Sequence, residues 1–131
     1  MKGDVIIPAK YTYHFIFSNN HLYLGHYFRN LYHILKFINE RINEEKLLLS
    51  NTNDEKLFEI FKTYADILQS TMSSYELSLL FYNILFFSKM KELVVTFGFL
   101  ENLAIEDLLE EEHKDFFKDI VFSNRSYKLK I

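Results

Sequence analysis

The stretch that decides the fold is SSYELSLLFYNILFF, residues 73–87. It opens with a capping-box pattern, in which the Ser73 hydroxyl accepts from the backbone N–H of Glu76 and the Glu76 carboxylate accepts from the N–H of Ser73. The residues that follow are apolar on nearly every side, which is typical of a helix in the middle of a bundle. Asn83 interrupts this surface, so its amide needs a hydrogen-bond partner inside the core.

Helical segments are also predicted on both sides of this central helix. Before it, an apolar stripe predicts a helix from the N-cap Asn53 to about Ser70, with a break near 71–74. After it, a short helix is expected over about 89–97, and Gly98 is placed to end it in the left-handed conformation. A fifth helix is predicted over about 105–121, with Ile105, Leu108, Leu109, Phe116 and Ile120 facing inward.

The amino-terminal part combines two patterns. Apolar residues repeat every three or four positions from about His21 to Glu45, which predicts a long first helix. Ahead of it, residues 1–20 are expected to form a lead-in, because apolar and polar residues alternate like a strand over 11–17. A similar alternation in RSYKLKI, residues 125–131 of the tail 122–131, predicts a small β-pair between the two ends.

The composition fits one all-α domain, a compact bundle of four to five helices over residues 21–121. With 49% hydrophobic residues among 131, the chain can bury a sizeable core, and only 3 Gly and 1 Pro argue against a turn-rich β fold. The lack of cysteine excludes disulfides and a thiol nucleophile, and the formal charge of −3 gives no overall attraction to nucleic acid. No apolar run reaches membrane-spanning length and no signal-peptide pattern is visible, so we expect a soluble cytoplasmic protein or a soluble part of a longer one.

Three blocks carry a family resemblance: LGHYFRNLYHILKFINE at 24–40, ILQSTMSSYELSLLFYN at 67–83 and FGFLENL at 97–103. In this order and with these embedded polar residues, the chain resembles the putative phage abortive infection protein family, the AbiC-like group, over about residues 24–103. The resemblance implies bacterial phage defence, but no agreed reaction and no catalytic residues. Many members carry membrane-spanning segments ahead of this domain, and none is visible here.

The polar face of the first helix holds the candidate site residues. His26, Arg29, His33 and Lys36 are three or four positions apart and therefore neighbours on one face. One interpretation is architectural: Arg29 pairs with a buried acid, Glu76 or Glu101, and locks helices together. This interpretation predicts one structural polar network, made of Arg29, Tyr32, Glu76, Asn83, Glu101 and Asn102.

A second interpretation is catalytic. RNLYH, residues 29–33, is similar to the Arg–His motif of HEPN-type ribonucleases, in which histidine is the acid–base and arginine stabilises phosphate charge. That motif usually has four to six residues between the two, whereas three separate Arg29 from His33. Catalysis here would be that of a metal-independent ribonuclease.

Other kinds of site find little support. His26 and His33 are two helical turns apart, and neither has a ligand partner one turn further on, so we expect no metal. His21 and His113 are expected at the surface. No Gly-rich phosphate loop is present, so we expect no cofactor.

The function expected from these observations is antiviral defence by a helical sensor or interaction module, with a protein partner or a second copy of the chain. RNA binding stays open through the ribonuclease alternative, and no DNA binding is expected. A further alternative is a small neutralising partner of a toxin, since the chain is short and mildly acidic.

Overall fold

The computed structural model describes residues 2–48 and 53–123. Over these residues the chain forms four α-helices: α1 (Lys2–Leu48), α2 (Asp54–Ser70), α3 (Ser74–Asn83) and α4 (Ser88–Thr96). Two short 3₁₀ helices follow, Ile105–Asp107 and Glu111–Phe116, and no strand lies within the described ranges. The all-α helical bundle predicted from the sequence is confirmed.

The central position of α3 follows from its sequence. Its residues from Leu79 to Asn83 are all buried, and it contacts α1 on one side. On another side the Phe81 ring stacks on Phe116 and meets Phe117 edge-on. The apolar residues of the helices form one continuous core with this segment.

Local signals placed the starts of α2 and α3 correctly. The Asn53 side chain accepts from the N–H groups of Glu55 and Lys56, and Ser73 with Glu76 forms the complete capping box. Gly98 has a φ of 56° just after α4, as predicted for the left-handed position that ends this helix. The central helix is shorter than predicted: it was expected to run to Phe87, but the chain turns after Asn83.

The lead-in and the strand predicted over 11–17 are wrong, because α1 begins at Lys2 and runs through them. Helical spacing explains the alternation: Tyr11 and Phe15 lie one turn apart on an exposed face, while Tyr13 is buried against the bundle. The β-pair predicted between the two ends therefore does not form through residues 11–17, which are helical. Its other strand, predicted over 125–131, lies outside the described residues.

The fifth helix predicted over 105–121 is also wrong. Two 3₁₀ helices and extended links replace it; Leu108 and Phe116 are buried as predicted, but Leu109 is exposed. Acidic residues recur at i and i+4 here, as in Glu106 and Glu110, and such like-charge pairs destabilise an α-helix. The buried Leu108 and Phe116 pack the segment against the core instead, and a parallel bridge between Ala104 and Ser123 joins its two ends.

Candidate functional site

A groove of about 400 Å³ opens between α1, the end of α3 and the start of α4. We call it the Arg29 groove, because Arg29 is one of two cationic side chains that line it. Its other wall residues are mainly apolar or aromatic. The full lining is Leu24, Gly25, Phe28, Arg29, Tyr32, Asn83, Phe87, Lys89 and Met90.

The space in the groove is linked to Gly25. This residue lies within α1, and a β-carbon built on it meets nothing within 4 Å. Glycine inside a helix costs about 1 kcal/mol relative to alanine. Open space, and no other backbone, therefore faces Gly25.

The two cations at the groove are exposed and come from different helices. Arg29 lies on α1 and Lys89 in the first turn of α4. Neither forms an ion pair with another residue in the described ranges, and no Asp or Glu is among the lining residues. The groove is therefore a local positive site on a chain whose formal charge is −3.

The start of α4 adds to this positive character. Phe87 occupies the N-cap position and provides no side-chain hydrogen bond to the helix. The first N–H groups of a helix carry a partial positive charge, so a lysine in the first turn is unfavourable for the helix by itself. This was a signal in the sequence that could have drawn attention to Lys89.

Asn83 contributes the buried polar group of the groove. Its side chain is only 4% exposed, and its amide nitrogen donates a 2.8 Å hydrogen bond to the Tyr13 hydroxyl. The partner required by the sequence is thus supplied by α1. Burial raises the pKa of Tyr13, with the Asn83 hydrogen bond opposing this effect, so the hydroxyl stays protonated at neutral pH.

The six residues of the predicted polar network lie in separate places. Arg29, Tyr32 and Asn83 line the groove, but Glu76 belongs to the capping box, where its carboxylate accepts a 2.9 Å bond from the Ser73 N–H. That backbone hydrogen bond is the main cause that lowers the pKa of Glu76. The structure therefore does not pair Arg29 with Glu76, because the acid is already bound at the helix start.

Glu101 and Asn102 are held on the α2 side of the molecule. Lys62 forms a 3.1 Å ion pair with Glu101 and a 2.9 Å pair with Asp66. Burial opposes the charge of Lys62, but hydrogen bonds to both carboxylates outweigh it and raise the pKa of the amine. The Asn102 backbone N–H donates to Gln69 Oε1 at 2.8 Å.

Gln69 is a buried polar residue that the sequence reasoning missed. It is 2% exposed and joins α2 to the turn after α4, since its Nε2 also donates to the Gly98 carbonyl. The sequence could have indicated its burial, because Gln69 lies on the apolar stripe of α2, one turn after Ala65.

The candidate catalytic histidine lies outside the groove. His33 and Arg29 share the exposed side of α1, and the His33 ring packs edge-on against Tyr32 with centroids 5.5 Å apart. His26 is also exposed, and the side chain of His21 is not described. No group of three His, Asp or Glu side chains suited to a metal ion occurs among the residues searched, those of the described ranges.

His113 was expected at the surface and this expectation is wrong. It is buried, with its Nδ1 2.6 Å from the Tyr82 hydroxyl, which also accepts from the Leu109 N–H at 2.8 Å. A tyrosine hydroxyl has one O–H and two lone pairs, so Tyr82 can accept from the Leu109 N–H and donate its own O–H to His113 Nδ1. Burial lowers the pKa of His113 and raises the pKa of Tyr82 to about 12, so both are neutral at pH 7.

Comparisons with known proteins connect the chain with one family. Along the described part of the chain, no helix is both long and apolar enough to cross a membrane. No curated protein and no solved structure matches the sequence. One family model, described as "Putative phage abortive infection protein", matches residues 19–108, which include the whole Arg29 groove. The match spans more than half of the chain, so the protein belongs to this phage abortive infection family.

Proposed function

We propose that the protein is a non-enzymatic sensor or interaction module of bacterial antiviral defence by abortive infection, acting in the cytoplasm. Its recognition site in this proposal is the Arg29 groove. The observation that carries the proposal is a groove with two cationic side chains that pair with no other described residue. Family membership supports the defence role.

The lining of the groove favours binding over catalysis. General acid–base catalysis most often uses His, Asp or Glu within reach of the reacting atoms, and Lys or Tyr less often. No His, Asp or Glu lines the groove, whereas aromatic and aliphatic side chains supply most of its surface. A site with this lining can hold a ligand and respond to it, which is what a sensor requires.

The experiment that tests the proposal is a phage infection assay in cells that produce the protein at equal levels. We expect Arg29→Gln to lose protection while retaining the fold, because Arg29 is exposed and makes no ion pair with a described residue. The matched control is Lys36→Gln, two turns further along the same helix and outside the groove. Full protection by the Arg29 variant would contradict the role assigned to the groove.

A ribonuclease remains the second candidate, because Arg29 and His33 share the exposed side of α1. An i, i+4 pair on a helix can present both groups to one phosphate. The test is RNA cleavage by the purified protein in the presence of a chelator, comparing wild type with His33→Ala. Cleavage that the variant abolishes would favour the enzyme; protection that the variant retains would favour the sensor.

The proposal includes association with a second copy of the chain through exposed aromatic side chains. Tyr11 and Phe15 on α1 are 74% and 70% exposed, and Phe86 lies beside Tyr11. We call these three residues the aromatic stripe. Exposed aromatic groups grouped in this way are typical of interaction surfaces. Co-purification of the chain with a different protein, in place of a second copy, would favour the alternative of a toxin-neutralising partner.

A further inference from the structure

We propose that the Arg29 groove binds a small aromatic phosphate monoester, a flat ring system that carries one dianionic phosphate. This inference rests on the proposed function for its biological use, since the ligand would be what the module senses. The binding itself is a property of the groove and is measured on the purified protein.

The size of the groove points to a small molecule. Its volume of about 400 Å³ lies within the range of about 300–1,000 Å³ that is usual for small-molecule sites. The groove therefore fits a ligand the size of one nucleotide.

The charges at the groove select an anion. Arg29 from α1 and Lys89 from α4 both line the groove, and no carboxylate in its lining neutralises them. An arginine fork matches the oxygens of a phosphate, and a lysine adds a second point charge. The uncapped first turn of α4 contributes further positive potential beside Lys89. Two cations suit a dianionic phosphate better than a single carboxylate.

The rest of the lining selects a flat ring. Phe28, Tyr32 and Phe87 supply aromatic surface, and Met90 supplies a polarisable thioether that packs well against rings. Gly25 leaves open the space that a larger side chain on α1 would fill. Asn83 brings a buried amide to the same wall, where it can meet a polar edge of the ring.

Isothermal titration calorimetry of the purified protein at low ionic strength tests the inference with 1-naphthyl phosphate as the probe. We expect saturable binding of this probe. Inorganic phosphate has the anion without the ring, and 1-naphthol has the ring without the phosphate, so each should bind at least about tenfold more weakly. Equal binding of 1-naphthol would overturn anion recognition. Equal binding of 1-naphthoate would overturn the assignment of a phosphate.

Variants locate the probe in the groove. Arg29→Gln and Lys89→Gln should each weaken binding of 1-naphthyl phosphate about tenfold, because each removes a charge-assisted contact. Lys36→Gln, which removes a charge outside the groove, should leave it unchanged. Gly25→Leu keeps both cations but fills the groove, so binding should be lost while the circular dichroism spectrum is retained. Binding that survives Gly25→Leu would overturn the location.

Nucleotide probes distinguish the sources of such a ligand. Binding of AMP or UMP with the same dependence on Arg29 and Lys89 supports a nucleotide, whereas binding of 1-naphthyl phosphate alone supports a non-nucleotide aromatic phosphate. The two proposals fail separately. Groove-dependent binding without any loss of phage protection in Arg29→Gln contradicts the sensor function alone. Loss of protection in a protein that binds none of these phosphates contradicts the ligand class alone.

Discussion

At the scale of single residues, the Tyr82 hydroxyl links the core to the segment after α4. It is buried in α3 and bonds both His113 and the Leu109 N–H. The segment after α4 has only short 3₁₀ helices of its own, so these bonds tie it to the core. A sequence pattern could not reveal this, because the tyrosine and the histidine are 31 positions apart.

We expect Tyr82→Phe to lower the free energy of unfolding by about 1–3 kcal/mol, because it leaves the buried His113 and the part-buried Leu109 N–H without their partner. Urea denaturation followed by circular dichroism measures the change. Tyr75→Phe on the same helix is the matched control, since Tyr75 is exposed and its variant should be unaffected. Equal stability of the two variants would show that the Tyr82 hydroxyl is not needed.

The burial of His113 predicts a pH dependence. Its folded-state pKa is lowered from the ordinary value of 6.5, so on acidification the unfolded chain takes up the proton first. The stability provided by neutral His113 is therefore complete above pH 6.5 and is lost as the pH falls through the lowered pKa. Urea denaturation at several pH values measures how steeply the free energy of unfolding changes with pH. This dependence should be weaker in His113→Asn, and an equal dependence in the two proteins would contradict the prediction.

At the scale of elements, the sequence predicted what depends on neighbouring residues. The capping box at Ser73, the N-cap Asn53 and the glycine stop at Gly98 depend on contacts within about one helical turn, and all three are confirmed. The start of α1 and the segment after 104 depend on tertiary contacts, so their local patterns misled. The groove also depends on tertiary contacts, because its lining comes from three helices. Lys89 and Phe87 line it only because α1 packs beside α4.

The two glycines make a matched pair of predictions. Gly98→Ala should destabilise the protein by about 1–2 kcal/mol, because its φ of 56° is costly for other residues and the new β-carbon would overlap the Glu101 carboxylate. Gly25→Ala should stabilise it by about 0.5–1 kcal/mol, since the position is helical with open space around it. Thermal or urea denaturation checks both signs. Equal effects would contradict the conformational argument.

At the scale of the whole molecule, α1 organises the fold. Its 47 residues contact every other α-helix and the second 3₁₀ helix. The same helix carries one wall of the Arg29 groove and, nearer its start, two residues of the aromatic stripe. The recognition site and the proposed contact with a second copy therefore share one structural element.

We expect the wild-type protein to self-associate at high concentration and Phe15→Glu to be monomeric, because a charge in the aromatic stripe would have to be desolvated at the interface. Sedimentation velocity measures the change. Tyr64→Glu, which alters an exposed aromatic residue of α2, is the control and should associate like the wild type. A monomeric wild-type protein at all concentrations would contradict the prediction.

The length of α1 has a mechanical consequence. Gly25 and Tyr11 are 14 positions apart, so they lie about 21 Å from each other along the helix axis at about 1.5 Å per residue. If this part of α1 tilts as a rigid body about the groove, each degree of tilt moves the turn that carries Tyr11 by about 0.4 Å. A ligand that tilts α1 by a few degrees therefore shifts Tyr11 by more than an ångström, which is enough to form or to lose van der Waals contacts at that residue.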